Sequence, residues 1–279
     1  MEVIMLKKLV IGALLASAVF GLAGCGGAPA KSAASSQAAL KTIKVGTLSG
    51  PHAEVIEKAK QIAAKKGLDI QIVEFNDYVQ PNEALNSKEI DANMYQHKPF
   101  LDNHVKDRGY KITAVGNTIL FPMGVYSQKI KSVDEIKDNM IIAIPNDPSN
   151  GGRALEILDH AKVIKLKDNI GGKATVNDIT ENPHHLEIRE VDAAMIPRML
   201  PDLDFAVINN SYAVKSGLVP TKDAFVLEGS DSKYCNILAV RTEDKDKPET
   251  KLLLESIQNN EMKEFIKDHF KGSAIPAWN

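Results

Sequence analysis

Apolar and polar residues alternate from Ile43 to Leu48, the pattern of a strand with one face buried. Ser49-Gly50-Pro51 then turns the chain. Over residues 52–66, Val55, Ile56, Ala59, Ile62 and Ala63 fall at helical spacing, and Gly67 supplies a stop. Asp69 to Phe75 reads as the next strand. The alternation continues with a short helix near Asn82–Ser87, a strand near Ala92–Tyr95, a helix over Pro99–Arg108 closed by Gly109, and a strand over Lys111–Val115. Further strands are expected at Met140–Ile144, His185–Val191, Asp204–Ile208 and Asn236–Arg241. Helices are expected over 151–160, over Asn210–Ser216 up to Gly217 and, as one long amphipathic element, over roughly Pro248–Phe270. Ser132 with Glu135 three residues on has the form of a capping box, a helix N-terminus. Strand and helix alternating in this order predict an α/β fold.

Two extended apolar segments, 119–126 and 236–241, stand out as candidate crossings between two lobes. On that reading residues 43–122 with 239–279 form lobe one, and 123–238 form lobe two. A cleft between two such lobes is a favoured ligand site. No internal sequence repeat is found.

The N-terminus follows another pattern. Lys7 and Lys8 precede an apolar run from Leu9 to Phe20, shorter than the ~20 residues a spanning helix needs and matched to the core of a signal peptide. Leu22-Ala23-Gly24-Cys25 follows and resembles a bacterial lipobox, in which a peptidase cuts before the cysteine and Cys25 carries lipid. The alternative is a plain signal peptide with an incidental cysteine. Glu2 is unusual in such a leader, and Met5 would make a cleaner start. Residues 1–24 are thus expected to be a lipoprotein signal. Residues 25–42, rich in Gly, Ala, Ser and Gln, are expected to be a flexible tether. The mature chain would be held at the extracytoplasmic face of a membrane, anchored rather than embedded.

The net charge is −2, and the chain has no basic run, so a nucleic-acid partner is not expected. There are two cysteines. With Cys25 lipidated, Cys235 stands alone and is expected to be buried as a small hydrophobe.

Three constellations could carry chemistry. Tyr78, Tyr95, His97 and Phe100 could wall a half-apolar pocket suited to a thioether, or they could be core aromatics with a helix-capping histidine. Asn146-Asp147-Pro148-Ser149-Asn150-Gly151-Gly152-Arg153 follows a buried strand and precedes a helix, where anions favour exposed backbone N–H groups. Arg153 adds a planar fork able to grip a carboxylate twice; the alternative is a capped turn with a surface arginine. Asn209-Asn210 and Asn236 offer amide oxygens for an ammonium and amide nitrogens for a carboxylate, or simply cap strand ends. No Walker loop, Gly-x-Ser-x-Gly or His-Glu-x-x-His pattern is present. His184 and His185, adjacent on a predicted strand, would point to opposite faces. No cofactor, metal site or catalytic residue is expected.

Several runs, in order along residues 43–279, resemble the methionine-binding lipoproteins of bacterial ABC importers, the MetQ/NlpA type. They include Phe75-Asn76-Asp77-Tyr78-Val79, Pro81-Asn82-Glu83-Ala84-Leu85, Asp91-Ala92-Asn93, Gln96-His97-Lys98-Pro99, Pro145-Asn146-Asp147-Pro148 and Ala206-Val207-Ile208-Asn209. The resemblance implies a two-lobed, type II periplasmic-binding fold with two crossing segments that closes on one small ligand. It implies that Tyr78, Tyr95, His97 and Phe100 line the side-chain pocket. Arg153 would bind the carboxylate, Asn209 and Asn236 would hold the polar head, and Asn150 would belong to the same ligand-binding set. The implied partners are a free amino acid, foremost methionine, an ABC permease with its ATPase, and the membrane through the anchor, with the protein a monomer. Other ligands remain open: another amino acid, a methionine-containing dipeptide or, on the same scaffold, a metal or an enzyme's substrate. Tyr95 stands where phenylalanine is common among relatives, adding a hydroxyl to the pocket, and Cys235 stands where a valine is expected.

Overall fold

The computed structural model describes residues 41–278. The leader 1–24, Cys25 and most of the expected tether lie outside the described residues. Lys41 and Thr42, assigned to the tether from sequence, instead open the first strand, paired with Leu68 and Asp69.

The first lobe begins β1 (Lys41–Leu48), α1 (Pro51–Ala64), β2 (Leu68–Phe75), α2 (Gln80–Asn86), β3 (Ala92–Asn93), α3 (Lys98–Arg108) and β4 (Ile112–Asn117). After β5 (Ile119–Leu120) the chain crosses and forms β6 (Gly124–Tyr126), β7 (Ile141–Pro145), α4 (Pro148–His160), β8 (Lys165–Leu166), β9 (Ile179–Glu181) and β10 (Glu187–Val191). Next come α5 (Ile196–Met199), β11 (Phe205–Ile208), α6 (Asn210–Lys215), α7 (Pro220–Asp223) and β12 (Ala224–Leu227). Residues 228–236 cross back to β13 (Ile237–Arg241), α8 (Pro248–Ile257), α9 (Asn260–Phe270) and β14 (Ile275–Pro276), which pairs with β5.

Each lobe is built on a mixed five-stranded sheet. The first has the order β2-β1-β3-β13-β4 and the second β10-β7-β11-β6-β12. In each, the first three strands run parallel, and the strand entered directly after a crossing, β13 or β6, is inserted antiparallel beside them. The two lobes therefore share one plan. Strand composition follows position: β11, Phe-Ala-Val-Ile, lies inside its sheet and is buried throughout, whereas β10, Glu-Ile-Arg-Glu-Val, is an edge strand carrying exposed charges. The first lobe's core joins β1, β2 and β13 to α1, α8 and α9; the second lobe's core packs α4 against β6, β7 and β11.

Several expectations change. The capping box expected at Ser132 does not form: its side chain caps no backbone amide, and only a single 3₁₀ turn, Val133–Glu135, follows, because Ile136 is already extended and Asn139 turns with φ +62° to deliver the chain to β7. Helix α4 begins at Pro148, not near 151, because Asp147 caps it by accepting from the Asn150 amide at 2.9 Å. His184 and His185 sit in a turn before β10, His185 at φ +50°, so the opposite-faces argument does not apply. Ile237 and Leu238 already pair with Asn117 and Gly116 in the first sheet, two residues before the expected lobe boundary. Cys235 is only half-buried, since it lies in the crossing rather than in the sheet, and burial pushes its thiol up.

The long C-terminal helix is in fact two. Gln258 leaves helical geometry, its amide reaching the Asn117 carbonyl at 2.7 Å, and Asn259 caps α9 by accepting from the Met262 amide at 2.9 Å. The break lets Leu253 and Ile257 before it and Met262 and Ile266 after it all enter one core. Asn259→Ala is expected to cost about 1 kcal/mol and to lower Tm by about 2–4 °C in thermal unfolding, with Asn259→Gly losing only a few tenths of a kcal/mol. An unchanged Tm in the alanine variant would show that the cap contributes nothing.

Candidate functional site

The eight residues singled out from sequence all line one cavity between the lobes, the kind of concave place small-molecule sites favour. Tyr78, Tyr95, His97 and Phe100 come from the first lobe. Asn150, Arg153 and Asn209 come from the second, and Asn236 ends the return crossing. Asn150 and Asn209 lie just past β7 and β11, at the carboxyl ends of parallel strands, where open α/β sheets place ligands. The paired glycines seat α4 rather than cradle an anion: a Cβ on Gly151 would stand 2.8 Å from the Pro145 carbonyl oxygen, and one on Gly152 would collide with that of Gly172.

One half of the cavity is aromatic. The Tyr78 ring lies 5.8 Å from Phe100, 6.2 Å from Tyr95 and 4.9 Å from Tyr212 of the opposite lobe, within the usual range for favourable ring pairs. The Tyr95 hydroxyl, expected to add polarity to the pocket, instead donates to the Tyr78 carbonyl at 2.9 Å. Burial pushes both phenols up, so they stay protonated.

The other half is a chain of amides and imidazoles. His97 caps α3, its Nδ1 accepting from the Phe100 amide at 3.2 Å. Nε2 therefore carries the proton and donates across the cleft to Asn150 Oδ1 at 3.2 Å. The capping role and the pocket role, alternatives in the sequence, belong to the same ring. Asn150 Oδ1 also accepts from Asn209 Nδ2 at 2.8 Å, while Asn150 Nδ2 donates to Asp147 at 2.9 Å. The Asn150 amide is thus fully used in holding its neighbours. Asn236 Nδ2 donates to His52 Nε2 at 2.7 Å and to the Tyr95 carbonyl at 3.2 Å. Burial holds His52 at about 3. Burial, with the nearby Arg153 charge, holds His97 at about 3 as well. Both rings are neutral. Asn209 Oδ1 and Asn210 Oδ1 are buried acceptors with no partner among the described residues.

Arg153 is the only charged residue among the described residues that line the cavity. Its fork does not stand ready for a ligand. Nε donates to Glu228 Oε1 at 2.9 Å, Nη2 pairs with Glu228 Oε2, and Nη2 also donates to the Phe121 carbonyl at 3.1 Å. The guanidinium lies 4.8 Å from the Tyr234 ring centroid. Nη1 alone has no hydrogen-bond partner among the described residues. Glu228 starts the return crossing; its carboxylate also accepts from the Met123 amide at 3.0 Å and the Ser232 hydroxyl at 2.8 Å. One buried ion pair therefore touches both crossing segments.

Sequence reading missed Glu228, His52 and a buried amide network. His52 follows Gly50-Pro51 after β1, a strand-to-helix junction of the kind that pointed to Asn209, so position could have found it. Glu228 follows an apolar strand and carried no comparable signal. In the network Gln96 Nε2 donates to Asn82 Oδ1 at 2.7 Å and Asn82 Nδ2 donates back to Gln96 Oε1 at 2.8 Å, with Asn93 Nδ2 joining Asn82 at 2.9 Å. It lies beneath the loop that carries Tyr95 and His97.

The Ser211 hydroxyl in the cavity meets the Tyr78 phenol at 3.2 Å, not an imidazole. Among the described residues no three His, Cys, Asp or Glu cluster as metal ligands, and no helix is long and apolar enough to cross a membrane. The arrangement offers one cationic donor, two orphan acceptors and an aromatic box.

Comparison with known proteins matches this arrangement to a family. The model of the NlpA lipoprotein family matches residues 43–278. The D-methionine-binding lipoprotein MetQ of Escherichia coli is 44% identical over 271 residues, 96% of either chain. A probable D-methionine-binding lipoprotein MetQ of Pasteurella multocida is 44% identical over 275 residues, 98% of this chain and 99% of its own. A nutrient-binding protein from Burkholderia cenocepacia, solved bound to methionine, superposes with a TM-score of 0.82 at 52% identity, covering 85% of this chain and 100% of its own. The chain belongs to the NlpA lipoprotein family.

Proposed function

We propose that this protein is the lipid-anchored, substrate-binding component of an ABC importer, and that it captures free methionine between its lobes and delivers it to a permease and ATPase complex. The observation that carries this reading is the division of the cavity wall. Arg153 Nη1 is free to donate to a carboxylate. Asn209 Oδ1 and Asn210 Oδ1 are buried acceptors without donors, and a buried acceptor left unpaired costs about 1–3 kcal/mol. An α-amino acid supplies what both ends lack: a carboxylate for the arginine and an ammonium for the amides.

Asn236, tied to His52 and Tyr95, orients the head group, and Asn150 holds His97 and Asn209 in place. Tyr78, Tyr95 and Phe100 enclose the side chain. A thioether suits these rings, because sulfur against an aromatic edge gains roughly 0.3–1.5 kcal/mol. The Burkholderia structure with methionine bound and the methionine-binding lipoproteins among the relatives support the same choice. Lipid on Cys25 anchors the protein on the extracytoplasmic face, residues 41–122 with 237–278 and residues 123–236 move as the two lobes, and the protein acts as a monomer. Because both lobes contact the ligand, methionine favours the closed state by its differential affinity.

Arg153→Ala is expected to weaken methionine binding at least about tenfold, since truncating one partner of a buried charged contact costs about 2–5 kcal/mol. Calorimetry giving wild-type affinity in a folded variant would sink the assignment. Acidification should act through the histidines. His52 and His97 titrate near 3 when enclosed, against an ordinary 6.5. Protons that the rings of the unfolded chain take up below 6.5 are refused by the folded protein. Folding stability is therefore unaffected by these rings above pH 6.5 and weakens as pH falls from 6.5 toward 3, each ring losing up to about 1.4 kcal/mol per pH unit. The Tm of the methionine complex between pH 7 and pH 5 measures this, and His97→Gln is expected to flatten the slope. An equal slope in that variant would remove His97 from the account.

A further inference from the structure

Glu228 does not line the cavity, yet it governs the charge presented there. Its side chain is 9% exposed and pairs with Arg153, itself 4% exposed. Its two oxygens accept from Arg153 Nε and Nη2, from the Met123 amide and from the Ser232 hydroxyl. Behind the one charged residue of the lining stands one carboxylate of opposite sign, and His52 and His97 contribute no charge. The wall therefore presents a strong donor, Nη1, on a pair with no net charge.

We propose that Glu228 is a specificity-determining residue: by neutralising Arg153 from behind and fixing its fork, it makes the cavity select a zwitterion over an anion with the same side chain. An uncompensated guanidinium in so enclosed a place would attract any carboxylate, including a 2-oxo acid, a hydroxy acid or an N-acylated amino acid. With Glu228 present, a lone carboxylate gains a hydrogen bond but finds no net positive charge to offset its own desolvation. It also leaves the orphan amide oxygens unpaired. A zwitterion brings no net charge and satisfies both ends. Glu228 acts through Arg153 and is a positioning residue.

The proposal rests on the amino-acid reading, and its test separates the two. Calorimetry at pH 7 compares methionine with 4-(methylthio)butanoate, the same side chain and carboxylate without the ammonium, on wild-type protein, Glu228→Gln and Glu228→Asp. Like-charge mismatches of this kind shift affinity by several powers of the tenfold step. In Glu228→Gln the preference for methionine over the anion is expected to fall at least about tenfold, the anion binding more tightly than it does to wild type. Glu228→Asp keeps the charge and is expected to keep the preference even where both affinities drop. An unchanged preference in a folded Glu228→Gln overturns the proposal and leaves methionine binding intact. Wild-type protein gives an independent reading should Glu228→Gln fail to fold. There both the anion and the cation methioninol are expected to bind at least about tenfold more weakly than methionine, and an anion bound as tightly as methionine overturns the proposal. If wild-type protein takes no methionine, the amino acid that co-purifies with it and the matching des-amino acid replace the pair, so that only the ligand assignment fails.

Discussion

Arg153 brings a full positive charge into a wall almost sealed from water, and much of the structure follows from answering it. Removing such a group from water costs several kcal/mol even after relaxation, and the pairing repays this only when geometry and further hydrogen bonds are complete. Here they are. Glu228 meets the fork on two teeth, and the Met123 amide and the Ser232 hydroxyl fill its remaining acceptor sites. Because Phe121 and Met123 lie on one crossing and Glu228 and Ser232 on the other, the wall of the cavity and the two crossings between the lobes are a single bonded unit.

The contacts that join the lobes across the cavity are neutral. His97 to Asn150 and Tyr78 to Ser211 exchange one hydrogen bond each, and Tyr78 packs on Tyr212. Neutral groups lose little on leaving water if each finds a partner. Among the described residues no ion pair joins the lobes across the cavity, and the acceptors left unpaired there are Asn209 Oδ1 and Asn210 Oδ1.

The alternation of strands and helices was legible in the sequence because hydrophobic periodicity reports burial directly. The elements that failed to read were those decided by partners far along the chain. The break at Asn259 depends on Gln258 reaching Asn117, and the single turn at Ser132 depends on where β7 must begin. At the site, the aromatic and amide residues could be located from motif and strand-end position, and the structure brings them to one cavity. What they do there could not be read. Whether the Asn150 amide is free, where the Tyr95 hydroxyl turns and what occupies the Arg153 fork are questions of pairing in three dimensions. Glu228 in particular follows an unremarkable apolar strand, 75 residues from the arginine it serves.

The shared plan of the two sheets hides an asymmetry in time. Every strand of the second sheet lies between Gly124 and Leu227, so that half can be completed from one continuous stretch. The first sheet cannot: β13 sits between β3 and β4, which touch only through it, and it arrives after residue 236. As the polypeptide emerges from a translocation channel N-terminus first, the half that begins earliest must stay split down its middle until almost the whole chain is out. Until β13 is available, the facing edges of β3 and β4 have no partner in the sheet, whereas every strand of the second sheet is already present.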